Sequence, residues 1–207
     1  MGATELSTNT AEELIVPLVR TIENELFRGG AASQARSRVY QEIRELIEQL
    51  SIPPSNSDEA SAQLNPKDFG LAIVPFLSEG DEVVARILAR LLEAKGVGSN
   101  LLSWKTLRTE KLERLKELDA RCVVLSAIGS RAAVTVGKMA RAIQGELPDI
   151  VIVIGLWSLP PAGAARLIRR IRESSVLVYT SLDEALRGIS ALALPPPQEQ
   201  NPKPAYP

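Results

Sequence analysis

Five short apolar runs, each followed by a stretch with helical spacing, constrain this chain more than any other feature of its sequence. The runs are GLAIVPF (70–76), NLLSW (100–104), CVVLSAI (122–128), IVIVIGLW (150–157) and VLVYT (176–180). They lack the apolar–polar alternation of a sheet with one wet face. Burial on both faces, as in a parallel sheet between helical layers, is therefore expected. Between and after the runs, apolar residues recur at helical intervals: Val84, Ile87, Leu88, Leu91 and Leu92, then Leu112 and Leu115, then Val136, Met139 and Ile143. Leu167, Ile168 and Ile171 mark a fourth helix, and the capping-box pair Ser181 and Glu184 opens a last one ahead of Leu186 and Ile189. Right-handed crossovers leave few topologies for such a chain. The expected fold is α/β, a doubly wound five-stranded parallel sheet of flavodoxin-like order 2-1-3-4-5, preceded by a short helical segment.

Residues 1–10 are read as a disordered N-terminus and 11–50 as a helical hairpin. Thr10 and Glu13 have capping-box spacing, and Leu14, Leu18, Ile22 and Leu26 follow at helical intervals. Pro17 interrupts them, so the helix is expected to begin near Val16 or bend there. Gly29 and Gly30 end it, and Val39, Ile43, Leu46, Ile47 and Leu50 line one side of a second helix. These stripes need a cover, and pairing of the helices between two copies of the chain gives an expected homodimer. Residues 51–69 are rich in proline, serine and asparagine and read as a linker, 70–193 as the α/β domain, and 194–207 as a disordered proline-rich tail.

Composition removes several classes of function. The chain has no histidine and one cysteine, which excludes Ser-His-Asp and Cys-His mechanisms, an intrachain disulfide and the commonest zinc ligand. Its 24 basic and 25 acidic side chains nearly cancel, so no nucleic-acid partner is expected. The start, MGATELSTNT, lacks a basic stretch leading into an apolar one, and the reading is that no signal peptide is present. LAIVPFL and IVIVIGLW fall short of the roughly 20 apolar residues of a membrane helix. A cytoplasmic location is expected.

A ligand in this topology would sit beyond the carboxyl ends of the strands, near the switch in strand order. Three loops should meet there, and the candidate residues are Ser78, Asp81, Ser126, Gly129, Ser130, Arg131, Gly155 and Trp157. No phosphate-binding glycine loop follows any strand, and Glu79, Asp81 and Glu82 would repel an anion from the first helix start. Gly129, Ser130 and Arg131 could present amides and a cation, although Ser-Arg also makes an ordinary exposed helix start. Trp157 could stack on a planar ligand or simply cover the sheet edge. Arg166, Arg169, Arg170 and Arg172 share a helix side that suits either an anionic surface or solvent. A phosphorelay receiver fails the test, because Pro75-Phe76-Leu77 and Ser126-Ala127 stand where clustered carboxylates and a phospho-accepting aspartate would be. No catalytic group, metal or cofactor is expected.

PFLSEGDEVVARILARLLEAKG, CVVLSAIGS and LPDIVIVIGLWS together resemble cobalamin-binding domains in layout. Asp81 matches the aspartate of that family's D-x-H-x-x-G motif, and Ser126 matches its post-strand serine. Val83 stands where the cobalt-ligating histidine would be, Arg86 where the glycine would be, and a paired glycine is reduced to Gly155 beside Leu156. The resemblance implies the scaffold without its cofactor chemistry. LPDIVIVIGLWS and TSLDEAL, with AEELIVPLVRTIENELFRGG and VYQEIRELIEQL, are similar to the cytosolic C-terminal extension of bacterial permeases of the autoinducer-2 exporter family, over residues 11–192. That resemblance implies a non-catalytic regulatory or interaction domain at the inner face of a membrane, partnered by a permease portion in the same or a neighbouring chain. The alternative is a free-standing sensor that binds a small molecule or nucleotide in the strand-end crevice.

Overall fold

The computed structural model describes residues 7–29, 33–49, 70–128, 132–157 and 176–193, together with Leu159, Ala162 and Ala165. The linker, the proline-rich tail, the arginine-bearing fourth helix and Gly129, Ser130 and Arg131 lie outside the described residues. The strands are β1 (Leu71–Pro75), β2 (Asn100–Leu101), β3 (Cys122–Ala127), β4 (Val151–Leu156) and β5 (Val176–Tyr179). They form one parallel sheet in the order β2-β1-β3-β4-β5, the doubly wound topology expected from the apolar runs. Strand 2 is shorter than the run NLLSW. Its last residues leave the sheet because Glu82 accepts hydrogen bonds from the Ser103 hydroxyl (3.2 Å) and the Trp104 amide (2.9 Å).

The helices are α1 (Thr8–Thr10), α2 (Val16–Gly29), α3 (Ser33–Gln49), α4 (Glu79–Glu93), α5 (Arg108–Glu117), α6 (Ala132–Glu146) and α7 (Leu182–Ala193). A π-helical stretch, Ala11–Ile15, joins α1 to α2. Pro17 explains it. Without an N–H, proline cannot continue the ordinary ladder, and the turn before it widens so that the Val16 amide reaches the Ala11 carbonyl. The helix therefore starts earlier than the sequence suggested, capped by Ser7, whose hydroxyl accepts from the Thr10 amide. Among the described residues no helix is long and apolar enough to cross a membrane.

Two apolar layers flank the sheet. Leu71, Ile73, Cys122, Val124 and Val153 meet Val84, Ile87 and Leu88 of α4 and Leu186 and Ile189 of α7. On the other face Val74, Val123, Leu125, Ile152 and Ile154 meet Leu115 of α5 and Val136, Met139 and Ile143 of α6. Helix α3 adds a further layer outside α4, burying Tyr40, Ile43 and Ile47. Each such side chain contributes about 1.5–3 kcal/mol on leaving water, which helps to hold α3 on the domain. The outward sides of these helices keep Leu14, Leu18, Val39 and Leu46 exposed. Gly70, at φ +59°, turns the chain into β1; a Cβ there would lie 2.7 Å from the Asp119 carbonyl oxygen.

Candidate functional site

Parallel strands deliver their carboxyl ends to one edge of the sheet, and the loops after β1, β3 and β4 meet there, the first two joined by the Asp81 carboxylate and the third through Ser126. Ser78 is the N-cap of α4, and with Asp81 it forms a reciprocal capping box. Asp81 Oδ2 accepts from the Leu77 amide (2.8 Å) and the Ser78 amide (3.0 Å), while Oδ1 accepts from the Ile128 amide (2.6 Å) just beyond β3. Asp81 is 2% exposed, so its charge is held by backbone donors and the positive end of α4 instead of by water.

Ser126 completes the link to β4. It stands beside Gly155 in the sheet, and both point to the α4 face. The Ser126 hydroxyl donates to the Asp81 carbonyl (3.3 Å) and accepts from the Trp157 indole Nε1–H (2.7 Å). The indole folds back along its own strand, 1% exposed. A Cβ on Gly155 would lie 1.9 Å from Trp157 Cζ2 and 2.3 Å from Cη2, so the ring lies directly on the glycine. Only a residue without a side chain allows that seat.

Five of the candidate residues, Ser78, Asp81, Ser126, Gly155 and Trp157, are thus brought together. The arrangement is a closed polar–aromatic plug. Trp157, weighed above as a stacking surface or an edge cover, covers the crevice itself. Gly129, Ser130 and Arg131 lie outside the described residues.

Sequence reading named Glu79 and Glu82 but not the partners that answer them. Glu82, 8% exposed, holds the 103–104 turn and faces Arg44 and Arg86, each at 3.6 Å. Glu79 accepts from Arg44 (2.5 Å) and from the Ser37 hydroxyl (3.2 Å). Helix α4 carries further ties to α3: Arg86 meets Glu48 at 3.4 Å, and Arg90 donates to the Ile47 carbonyl and lies 3.8 Å from Glu48. The same first turn of α4 therefore orders the strand-end loops and anchors α3. Lys111, 4% exposed, donates to the Pro75 carbonyl (2.9 Å). Burial pulls its pKa below the ordinary lysine value, opposed in part by Asp81 and Glu82. The only sequence signal for any of this was the S-x-x-D spacing of Ser78 and Asp81.

Among the described residues of this arrangement, Ser126 and Cys122 are poor nucleophiles. Ser126 uses its hydroxyl in both directions, and burial pushes the Cys122 thiol up to about 12. Among the described residues no cluster of acidic and thiol side chains is arranged to hold a metal ion.

No family model and no curated protein sequence matches the chain. Among solved structures, the chain is similar to a cobalamin-binding protein from Desulfitobacterium hafniense, with a TM-score of 0.50 and 14% identity, covering 84% of this chain and 77% of that one. A second similar structure is an orphan response regulator of H. pylori, with a TM-score of 0.39 and 14% identity, covering 60% of this chain and 96% of the other. At this identity the first likeness shows the fold: a Rossmann-type, cobalamin-binding-like scaffold.

Proposed function

We propose that this chain is a non-catalytic cytosolic regulatory or interaction domain, acting beside a membrane permease as the soluble tail of an autoinducer-2 exporter family member does. The observation that carries this reading is the Trp157 ring seated on Gly155 and bonded to Ser126, which fills the crevice where the fold ordinarily takes a ligand. The Desulfitobacterium hafniense protein binds cobalamin, and the residues here do not fit that group. No histidine exists to reach a metal, Val83 is wholly buried in the core, and the indole takes the space above the strand-end glycine. A regulatory role agrees with the first turn of α4, which ties the closed crevice to α3 and hence to the helical connector.

Two measurements test this reading. Corrinoids and nucleotides should leave the melting temperature unchanged, since a ligand of the native state raises it. Vesicles carrying the membrane portion of an exporter of that family should retain the purified chain, and empty vesicles should not. Turnover of a substrate at the strand ends, or stabilisation by a corrinoid, would overturn the proposal.

A second reading, a small-molecule sensor, is favoured by a hollow on the same sheet edge, between the N-terminal helix and the ends of β4 and β5.

A further inference from the structure

The hollow has a volume of about 260 Å³. Its helical wall is formed by Glu12, Val16, Pro17 and Arg20. The α/β domain supplies Trp157, Thr180, Ser181 and Leu182. Drug-sized ligands occupy about 300–1,000 Å³, so this space suits a single ring or a short branched chain. It lies at the carboxyl ends of β4 and β5, on the edge where this topology places ligands, one step away from the plugged crevice.

Its chemistry selects a charge. Its apolar lining is Val16, Pro17, Leu182 and Trp157, of which Pro17 is exposed and the other three are nearly buried. Glu12 is already committed: its Oε1 accepts from the Ser181 hydroxyl (2.7 Å) and the Asp183 amide (3.0 Å) at the start of α7, whose positive end offsets its charge. Arg20 is exposed and has no counter-ion among the described residues. The uncompensated charge of the hollow is therefore positive, and the Thr180 hydroxyl beside it offers a donor.

We propose that this hollow binds a small anionic molecule, a carboxylate or phosphate on a compact apolar body, with Arg20 meeting the charge and Pro17 meeting the body. The bound molecule touches the N-terminal helix on one side and the sheet edge on the other, so it fastens that helix to the domain. The proposal rests on the sensor reading and gives it a site and a ligand class. Trp157 borders both places: its indole N–H closes the crevice, and the residue, nearly buried, lies beneath the lining of the hollow.

The test is a titration of the full chain, followed by amide and indole NMR, with phenylacetate, phenyl phosphate and, as an uncharged control, benzyl alcohol. At least one anion should shift the Trp157 indole and the amides of Thr180, Ser181 and Leu182 saturably, and should raise hydrogen-exchange protection across residues 8–22. The stronger of the two anions identifies the charged group. Arg20→Gln, at an exposed position that leaves the fold intact, should weaken that anion about tenfold, the loss of one charge-assisted contact. Absence of a saturable shift with both anions overturns the site, as does equal binding by Arg20→Gln or by benzyl alcohol. Binding without added protection at 8–22 overturns the fastening role. Shifts confined to Leu77, Ser78 and Ile128 would mean that the crevice itself opens, overturning the proposed function together with the hollow.

Discussion

Adding one methyl group at position 155 should be expensive only while Trp157 is present. In Gly155→Ala the new Cβ would lie 1.9, 2.3 and 2.6 Å from three indole atoms, distances no real Cβ tolerates, so the ring must leave its seat. Trp157 is 1% exposed, and losing a buried aromatic costs about 3–5 kcal/mol. Gly155→Ala should therefore lose most of that, about 3 kcal/mol, although it removes no contact. Trp157→Ala should lose about 3–5 kcal/mol by itself. In the double variant the methyl meets no ring, so the loss should match that of Trp157→Ala alone. The two changes would then fall short of additivity by about 3 kcal/mol, the upper end of the range for coupled neighbours. Urea unfolding of the four proteins, read by far-UV circular dichroism, measures each term. Losses that add to within about 0.5 kcal/mol would refute the packing described for Trp157.

Three other perturbations probe the surroundings of the plug. Arg44→Ala leaves the nearly buried Glu79 without its cation and Glu82 with Arg86 alone, and should cost about 1–3 kcal/mol with faster amide exchange in α3; unchanged exchange there would show that the Arg44 ion pairs do not anchor α3. Cys122 should resist thiol reagents until the protein unfolds. Because its folded pKa is raised from 9.0 to about 12, the native thiol keeps its proton while the unfolded one loses it, so stability should fall as pH rises through that window; Cys122→Ala should lack this fall. Lys111 has the opposite sign. Its folded pKa is lowered, so below the ordinary value of 10.5 the unfolded chain binds more protons and stability should rise with pH. Lys111→Met should remove that rise and, because it takes the Nζ donor from the buried Pro75 carbonyl, should cost about 1–3 kcal/mol at neutral pH.

The sheet was legible because five runs repeat one message: apolar on both faces, bounded by helices. The meeting of Asp81, Ser126 and Gly155 was legible from topology alone, since parallel strands bring their carboxyl ends together whatever the side chains. The plug was not. Gly155 and Trp157 lie two residues apart and so share a face, but whether the ring folds back or reaches outward depends on Ser126 offering an acceptor across the sheet. Charge misled for a related reason. Glu79 and Glu82 read as charges that would repel an anion from a helix start, yet Arg44, 35 residues before Glu79, answers them. Strand 2 ended early through Glu82, a partner also distant in sequence. Pro17 announced an irregular helix, while the form of the irregularity, a π turn, emerged only from its hydrogen bonds.

The measurement closest to the central claim is the solvent exchange of the Trp157 indole N–H, followed by NMR with corrinoids and nucleotides present in turn. A closed crevice keeps that proton on Ser126, so its exchange should be slow and its resonance should stay in place with every compound. Rapid exchange in the free protein, or displacement of the resonance together with the Ile128 amide by a corrinoid or a nucleotide, would show an open crevice and contradict the closed one.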